Sequence, residues 1–160
     1  MSALVSRPGA EAIAARRAAR LAAVQALYQM EVSGSSSATA VMDVLGGRLP
    51  VDDEGPIDAD VDTELFRQII ETTVEKQREL DTLLARHLAK GWRLERIDAV
   101  ARAILRAGLI ELWRRPDVPT PVVIDEYVEI AHSFFDGAEP GFINATLDAC
   151  VSAVRSGERP

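Results

Sequence analysis

Apolar residues recur at intervals of three and four along most of the chain, and this periodicity predicts helices. The third predicted helix, about Asp62 to Leu88, shows it most clearly, with apolar positions at Leu65, Phe66, Ile69, Ile70, Val74, Leu80, Leu83, Leu84 and Leu88. The fourth, about Glu95 to Arg114, has a broad apolar sector, which predicts a central place in the core. We therefore predict an all-α protein.

The other helices are bounded by residues that break or cap helices, such as the run Ser33-Gly34-Ser35-Ser36-Ser37. They are predicted over about residues 10 to Val32, Ala38 to Leu45, Pro121 to the break at Asp136-Gly137, and Pro140 to Arg155. Between the second and third helices, Pro50 to Asp62 is acidic and has no basic residue, which predicts a solvated loop. The carboxylates of this loop lack an EF-hand pattern, so we favour a role for its last aspartates at the start of the third helix over metal binding.

Composition favours one cytoplasmic domain. The 160 residues are 48 % hydrophobic, enough for a single core. We expect a flexible lead over residues 1–9, one domain over 10–156 and a tail over 157–160. A single cysteine excludes an internal disulfide, and neither a signal peptide nor a run of 18 apolar residues is found. These features indicate a soluble protein that has no membrane segment and is not secreted.

Charge is distributed unevenly along the chain. The net charge is −7, yet residues 1–20 hold Arg7, Arg16, Arg17 and Arg20 against Glu11 alone. A basic tip on an acidic body is typical of a focused binding site for an anion. The alternative is that these arginines only solvate the end of a helix, and the sequence leaves both interpretations open.

The first helix carries an apolar stripe that becomes basic toward its N-terminus. Leu21, Val24, Leu27 and Tyr28 share one face, and the same rows continue back to Arg16, Arg17 and Arg20. Arginine is rarely buried without a partner, so we predict that the later turns pack in the core. The earliest turns would then project beyond it, with three guanidinium groups free for a partner.

Two further positions stand out on the helical wheels. Glu111 lies between Val100 and Ile104, where a carboxylate needs an arginine or backbone partner. We interpret it as a structural contact, because no second acid or nucleophile accompanies it. Phe142 and Asn144 flank the core face of the last helix. They could serve base stacking and hydrogen bonding, although from the residues alone we favour a core phenylalanine beside a capping asparagine.

Catalytic motifs are not recognisable. His87 and His132 lie on different predicted helices with no nucleophile elbow near them, and Gly46-Gly47 belongs to no phosphate-binding loop. We expect neither enzymatic activity nor a cofactor.

Four segments together resemble the NusB family of bacterial transcription antitermination factors: RRAARLAAVQALYQMEVSG, ERIDAVARAILRAGLIEL, DVPTPVVIDEYVEIAHSF and PGFINATLDA. The resemblance implies a two-lobed bundle of six to seven helices, with lobes at about residues 10–90 and 91–156. It also implies binding, together with the ribosomal protein NusE, to single-stranded boxA RNA of rRNA operons, as part of the transcription elongation complex.

The same resemblance implies which residues bind. RNA would contact Arg16, Arg17, Arg20, Gln25, Phe142 and Asn144, and the protein partner would contact Tyr28 and Phe134. The chain departs from the family pattern at Ala18 and Ala19, which dilute the basic run, and at Ala101, where relatives often carry an acidic residue.

Other functions stay open at this point. A related bundle precedes an rRNA cytosine methyltransferase domain, but only five residues follow Arg155. The second interpretation is a helical protein-binding adaptor, or a homodimer that covers the basic end. Binding of RNA that weakens with salt would distinguish an RNA-binding factor from both.

Overall fold

The computed structural model of the chain describes residues 9–45, 51–52, 55–56 and 60–155. Within these ranges lie six α-helices, so the predicted all-α class is confirmed: α1 (Ala10–Ser33), α2 (Ser37–Leu45), α3 (Thr63–His87), α4 (Ala99–Arg114), α5 (Thr120–Phe134) and α6 (Glu139–Arg155). A 3₁₀ turn, Leu94–Arg96, precedes α4. The lead before Gly9, the tail after Arg155 and much of the acidic segment lie outside the described residues.

Two short elements differ from the sequence expectation. Val51–Asp52 (β1) and Gly55–Pro56 (β2) form an antiparallel pair inside the segment expected to be a loop. In addition, α4 begins at Ala99 instead of near Glu95, because the Asp98 side chain accepts a hydrogen bond from the Val100 N–H (2.7 Å) and caps the helix there. The division into lobes at residue 90 stays a prediction.

Capping residues set the other helix ends. The Asp62 carboxylate accepts a hydrogen bond from the Leu65 N–H at 3.0 Å, which confirms the expected role of the last aspartate before α3. Gly34 closes α1 in a left-handed conformation, φ 73°, and its N–H donates to the Met30 carbonyl at 3.0 Å. Pro121 lies in the first turn of α5, where a missing N–H costs little.

Helix α4 occupies the centre of the molecule and packs against α1, α3, α5 and α6. Its residues from Ala103 to Trp113 are all buried, as its broad apolar sector predicted. Helix α1 runs antiparallel to α4, since Arg20 pairs with Glu111 near one end and Glu31 pairs with Arg102 near the other. These two contacts fix which turns of α1 lie level with which turns of α4.

Helix α6 runs parallel to α4. Leu147 lies against Gly108, where a Cβ atom would be only 2.9 Å from Leu147 Cδ1, so the close approach needs glycine. At the far end, the Arg155 guanidinium donates hydrogen bonds to the carbonyls of Leu112, Arg115 and Val118 at 2.7, 2.9 and 2.7 Å. The Leu112 carbonyl lies in the last turn of α4, where helical partners run out, and the other two carbonyls lie in the segment that follows the helix.

One predicted core position of α3 is wrong. Val74 is exposed, whereas Thr72 and Thr73 are buried. On the helical wheel Val74 lies 40° beyond Ile70, which is itself at the edge of the buried sector. Thr73 tolerates burial because its hydroxyl donates to the Ile69 carbonyl at 2.8 Å.

Candidate nucleic-acid interface

Arg20 is buried, which corrects the expectation that three guanidinium groups project from the start of α1. Only 3 % of the residue is exposed. Its Nε and Nη2 donate to the two oxygens of Glu111 at 2.8 and 2.6 Å, and its Nη1 donates to Glu126 Oε1 at 3.2 Å. The reason is the antiparallel packing, which places Arg20 level with the one carboxylate inside the apolar sector of α4. The guanidinium of Arg20 is therefore buried and engaged with carboxylates, and it is not available to bind RNA.

The partner of Glu111 is thus an arginine, one of the two kinds of partner that were expected for it. The Tyr127 hydroxyl completes the group by donating to Glu111 Oε1 at 2.8 Å. Burial, together with the charge of Glu111, raises the pKa of Tyr127 well above its ordinary value. Burial alone would lower the pKa of Arg20, but the hydrogen bond and the charge of Glu111 outweigh it and raise that pKa. The interpretation of Glu111 as a structural contact is confirmed.

Arg17 is the most exposed of the three arginines Arg16, Arg17 and Arg20. Its side chain is 64 % exposed, and its Nε lies 3.1 Å from Glu126 Oε2. An ion pair this exposed is worth about 0–1 kcal/mol, so a phosphate oxygen can replace the carboxylate at little cost. Arg16 is partly exposed one residue earlier. The start of α1 therefore presents two arginines outward, while the third is used in the core.

Glu126 was not singled out from the sequence, although it contacts both Arg17 and Arg20. On the helical wheel of α5, Glu126 belongs to the polar side, where a carboxylate is expected to be solvated. Only the packing of α5 beside the start of α1 shows that it joins the buried arginine to the exposed one.

The remaining predicted residues are distributed along the molecule. Tyr28 and Phe134 are 39 % and 40 % exposed, Asn144 is exposed, and Gln25 and Phe142 are half-buried. Because α6 is parallel to α4 with Leu147 level with Gly108, Phe142 lies roughly 12 Å along α4 from the level of Glu111, at 1.5 Å per residue. The structure therefore does not gather the arginines and the Phe142–Asn144 pair into one cluster.

Trp92 is an additional residue that was not singled out from the sequence. It is 56 % exposed, and its ring centroid lies 5.0 Å from that of Phe142, with the two planes inclined at 42°. Its position between Lys90 and Arg93 is the signal that could have identified it, since aromatic residues among cations are typical of nucleic-acid surfaces.

The model of the NusB family matches residues 17–152. The chain belongs to the NusB family. The transcription antitermination protein NusB of Caulobacter vibrioides is 52 % identical over 140 residues, which cover 88 % of this chain and 94 % of that one.

Solved structures of NusB proteins have the same fold. T. maritima NusB is similar with a TM-score of 0.70 and 30 % identity, over 86 % of this chain and 90 % of that one. A structure of the antitermination factors NusB and NusE in complex with dsRNA gives a TM-score of 0.69 at 22 % identity, over 86 % of this chain and 96 % of the matched chain. At that identity the second likeness supports the fold alone.

A second ionic cluster of this NusB family member lies at the other end of the α1 and α4 pair. Glu31 accepts hydrogen bonds from Arg102 Nε at 2.9 Å and from Arg106 Nη1 at 3.0 Å, and Asp81 accepts from Arg106 Nε at 2.8 Å. The hydrogen bond from Arg102 is the main cause that lowers the pKa of Glu31. The cluster borders an open groove of about 730 Å³. Three carboxylates and three arginines line this groove, so it has little net attraction for phosphate: Glu31, Asp81, Glu95, Arg78, Arg102 and Arg106.

The described residues of this NusB family member contain no group of three or more His, Cys, Asp or Glu side chains that could hold a metal ion. None of their helices is both long and apolar enough to span a bilayer. Burial raises the pKa of Cys150 to about 12, so its thiol stays protonated at neutral pH and is a poor nucleophile.

Proposed function

We propose that this chain is a transcription antitermination factor that binds boxA-type single-stranded RNA of rRNA operons together with NusE, in the bacterial cytoplasm. Its membership of the NusB family over residues 17–152 is the observation that carries the proposal. The factor would act as part of the transcription elongation complex and without catalytic activity of its own.

The outward start of α1 is the proposed phosphate-binding part of the site. Within the described part of the chain, Arg17 is held by an ion pair to Glu126 alone while 64 % of its side chain stays exposed, and Arg16 lies beside it. Arg20 contributes indirectly, because its contacts to Glu111 and Glu126 anchor the turn of α1 that carries the other two arginines. Gln25, on the later turns of the same helix, is assigned to the same RNA.

The remaining assignments divide between RNA and protein. Phe142 and Asn144, which offer an aromatic face and an amide, are assigned to RNA. Their distance from the arginines is one that an extended single strand of RNA can span. Tyr28 and Phe134 each expose about two fifths of their surface, and exposed aromatic residues suit a protein interface. We assign these two to NusE.

The charge of the chain makes the partner important. With a net charge of −7, the body repels phosphate, and two outward arginines supply few compensating contacts. A partner that adds surface and positive charge would supply the rest. The Kd for RNA should therefore depend strongly on whether NusE is present.

We expect a labelled boxA-type RNA to bind this protein weakly alone and at least tenfold more tightly when NusE from the same organism is added. Fluorescence anisotropy at fixed salt measures both values of Kd, and size exclusion shows which complexes form. A scrambled RNA of equal length is the control for non-specific binding. Equal affinity with and without NusE would contradict the partner dependence, and no salt-sensitive binding in either case would favour a protein adaptor or a homodimer.

A further inference from the structure

The segment before α4 places an exposed tryptophan among cations. Lys90, Arg93 and Arg96 are exposed on either side of Trp92, and the acidic residues in the same stretch are Glu95 and Asp98. Asp98 is engaged at the start of α4, where its side chain accepts from the Val100 N–H. Glu95 lies 3.8 Å from Arg93 in an ion pair whose side chains are 69 % and 71 % exposed. With three cations against two carboxylates, the stretch from Lys90 to Asp98 has a formal charge of +1 on a chain whose net charge is −7.

The backbone around Trp92 is held firmly. Leu94 and Ile97 are buried, and the Arg102 guanidinium donates from Nη1 to both of their carbonyls, at 2.9 and 2.8 Å. The backbone N–H of Trp92 donates to the Ala89 carbonyl at 3.0 Å, across a turn in which Gly91 has φ 93°. The indole is thus presented by a fixed turn, and little ordering would be needed when it binds a ligand.

The indole of Trp92 has enough exposed surface to serve as a stacking platform. Phe142 packs against it at a centroid distance of 5.0 Å with the ring planes inclined at 42°, and 56 % of Trp92 remains accessible. Asn144, two residues beyond Phe142 on α6, is also exposed and offers hydrogen-bond donors and an acceptor. Aromatic faces rimmed by cations are the usual means by which proteins bind single-stranded nucleic acid.

We propose that Trp92, backed by Phe142, stacks on one base of the bound RNA, while the cations of Lys90, Arg93 and Arg96 attract the neighbouring phosphates. This inference rests on the proposed function and adds a second contact region, at the end of α4 opposite the arginines of α1. A protein segment is the less suitable occupant, because the rim of the indole is cationic and polar and not apolar.

The test compares Trp92→Ala with Trp92→Phe in the presence of NusE. Loss of a stacked base weakens binding by about five- to a hundredfold, so Trp92→Ala should raise the Kd for boxA-type RNA by that factor. Trp92→Phe keeps an aromatic face and should stay within about threefold of the parent. Because Trp92 is largely exposed, both variants should melt within about 2 °C of the parent.

Tryptophan fluorescence gives a direct second reading. The chain has two tryptophans, and Trp113 is buried, so RNA should quench the emission of Trp92 alone. The quenching should disappear in Trp92→Phe although that variant still binds RNA. Quenching that persists in Trp92→Phe would overturn the proposal.

The outcomes separate this inference from the function on which it rests. If the parent binds no RNA with or without NusE, both fail. If the parent binds RNA and Trp92→Ala binds equally well, the function stands and the stacking site is wrong. If Trp92→Ala weakens NusE binding and leaves RNA affinity unchanged, the surface is a protein interface and the proposal is also overturned.

Discussion

Replacing Glu111 with alanine is expected to lower the free energy of unfolding by about 3–5 kcal/mol. The reason is that Arg20, only 3 % exposed, would lose both of its hydrogen bonds to Glu111 and keep only Glu126 at 3.2 Å. The Tyr127 hydroxyl would lose its acceptor as well. Denaturation by urea, followed by circular dichroism, measures the loss, and a change below about 1 kcal/mol would show that the pair is not buried.

Matched variants distinguish the buried pair from charge in general. Arg17→Ala removes the exposed arginine that shares Glu126, so it should cost less than about 1 kcal/mol. Arg20→Met combined with Glu111→Leu and Tyr127→Phe removes the buried polar groups together, and should recover much of the stability that Glu111→Ala loses. Failure of that recovery would mean that the apolar replacements do not fill the space.

The helical wheel predicted that Glu111 is buried and paired, but could not name its partner. The wheel uses only local spacing, whereas Arg20 is 91 residues away and reaches Glu111 through the antiparallel packing of α1 on α4. For the same reason the basic run was misjudged. Arg16, Arg17 and Arg20 continue one stripe in the sequence, and nothing in that stripe shows where the core ends. In the structure, the edge of the core lies between Arg17 and Arg20.

Helix positions followed well from periodicity, because breaks and caps such as Gly34 and Asp62 are local features. The start of α4 did not, since the apolar spacing continues through Leu94 and Ile97 although the backbone forms a 3₁₀ turn there. Trp92, which precedes this turn, was not singled out from the sequence either, because its contact with Phe142 depends on α6 lying beside α4.

Because the edge of the core lies between Arg17 and Arg20, substitutions at these arginines should differ in their effects on stability and on RNA binding. Replacing all three arginines by alanine would leave Glu111 buried without its cation, so the triple variant should lose stability and cannot report on RNA binding alone. The informative variant is Arg16→Ala with Arg17→Ala, which leaves the contacts of Arg20 to Glu111 and Glu126 in place.

For this double variant we expect an unchanged melting temperature, within about 2 °C, and weaker binding of boxA-type RNA in the presence of NusE. Each phosphate neutralised on a single strand contributes about −0.7 to the slope of log K against log salt, so losing two contacts should flatten the slope by about 1.4. The control is Arg67→Ala with Arg78→Ala, which removes the same charge from exposed positions of α3. If both double variants flatten the slope equally, the effect comes from net charge and not from contact. If neither changes it, Arg16 and Arg17 do not touch phosphate, and the RNA must bind elsewhere on the molecule.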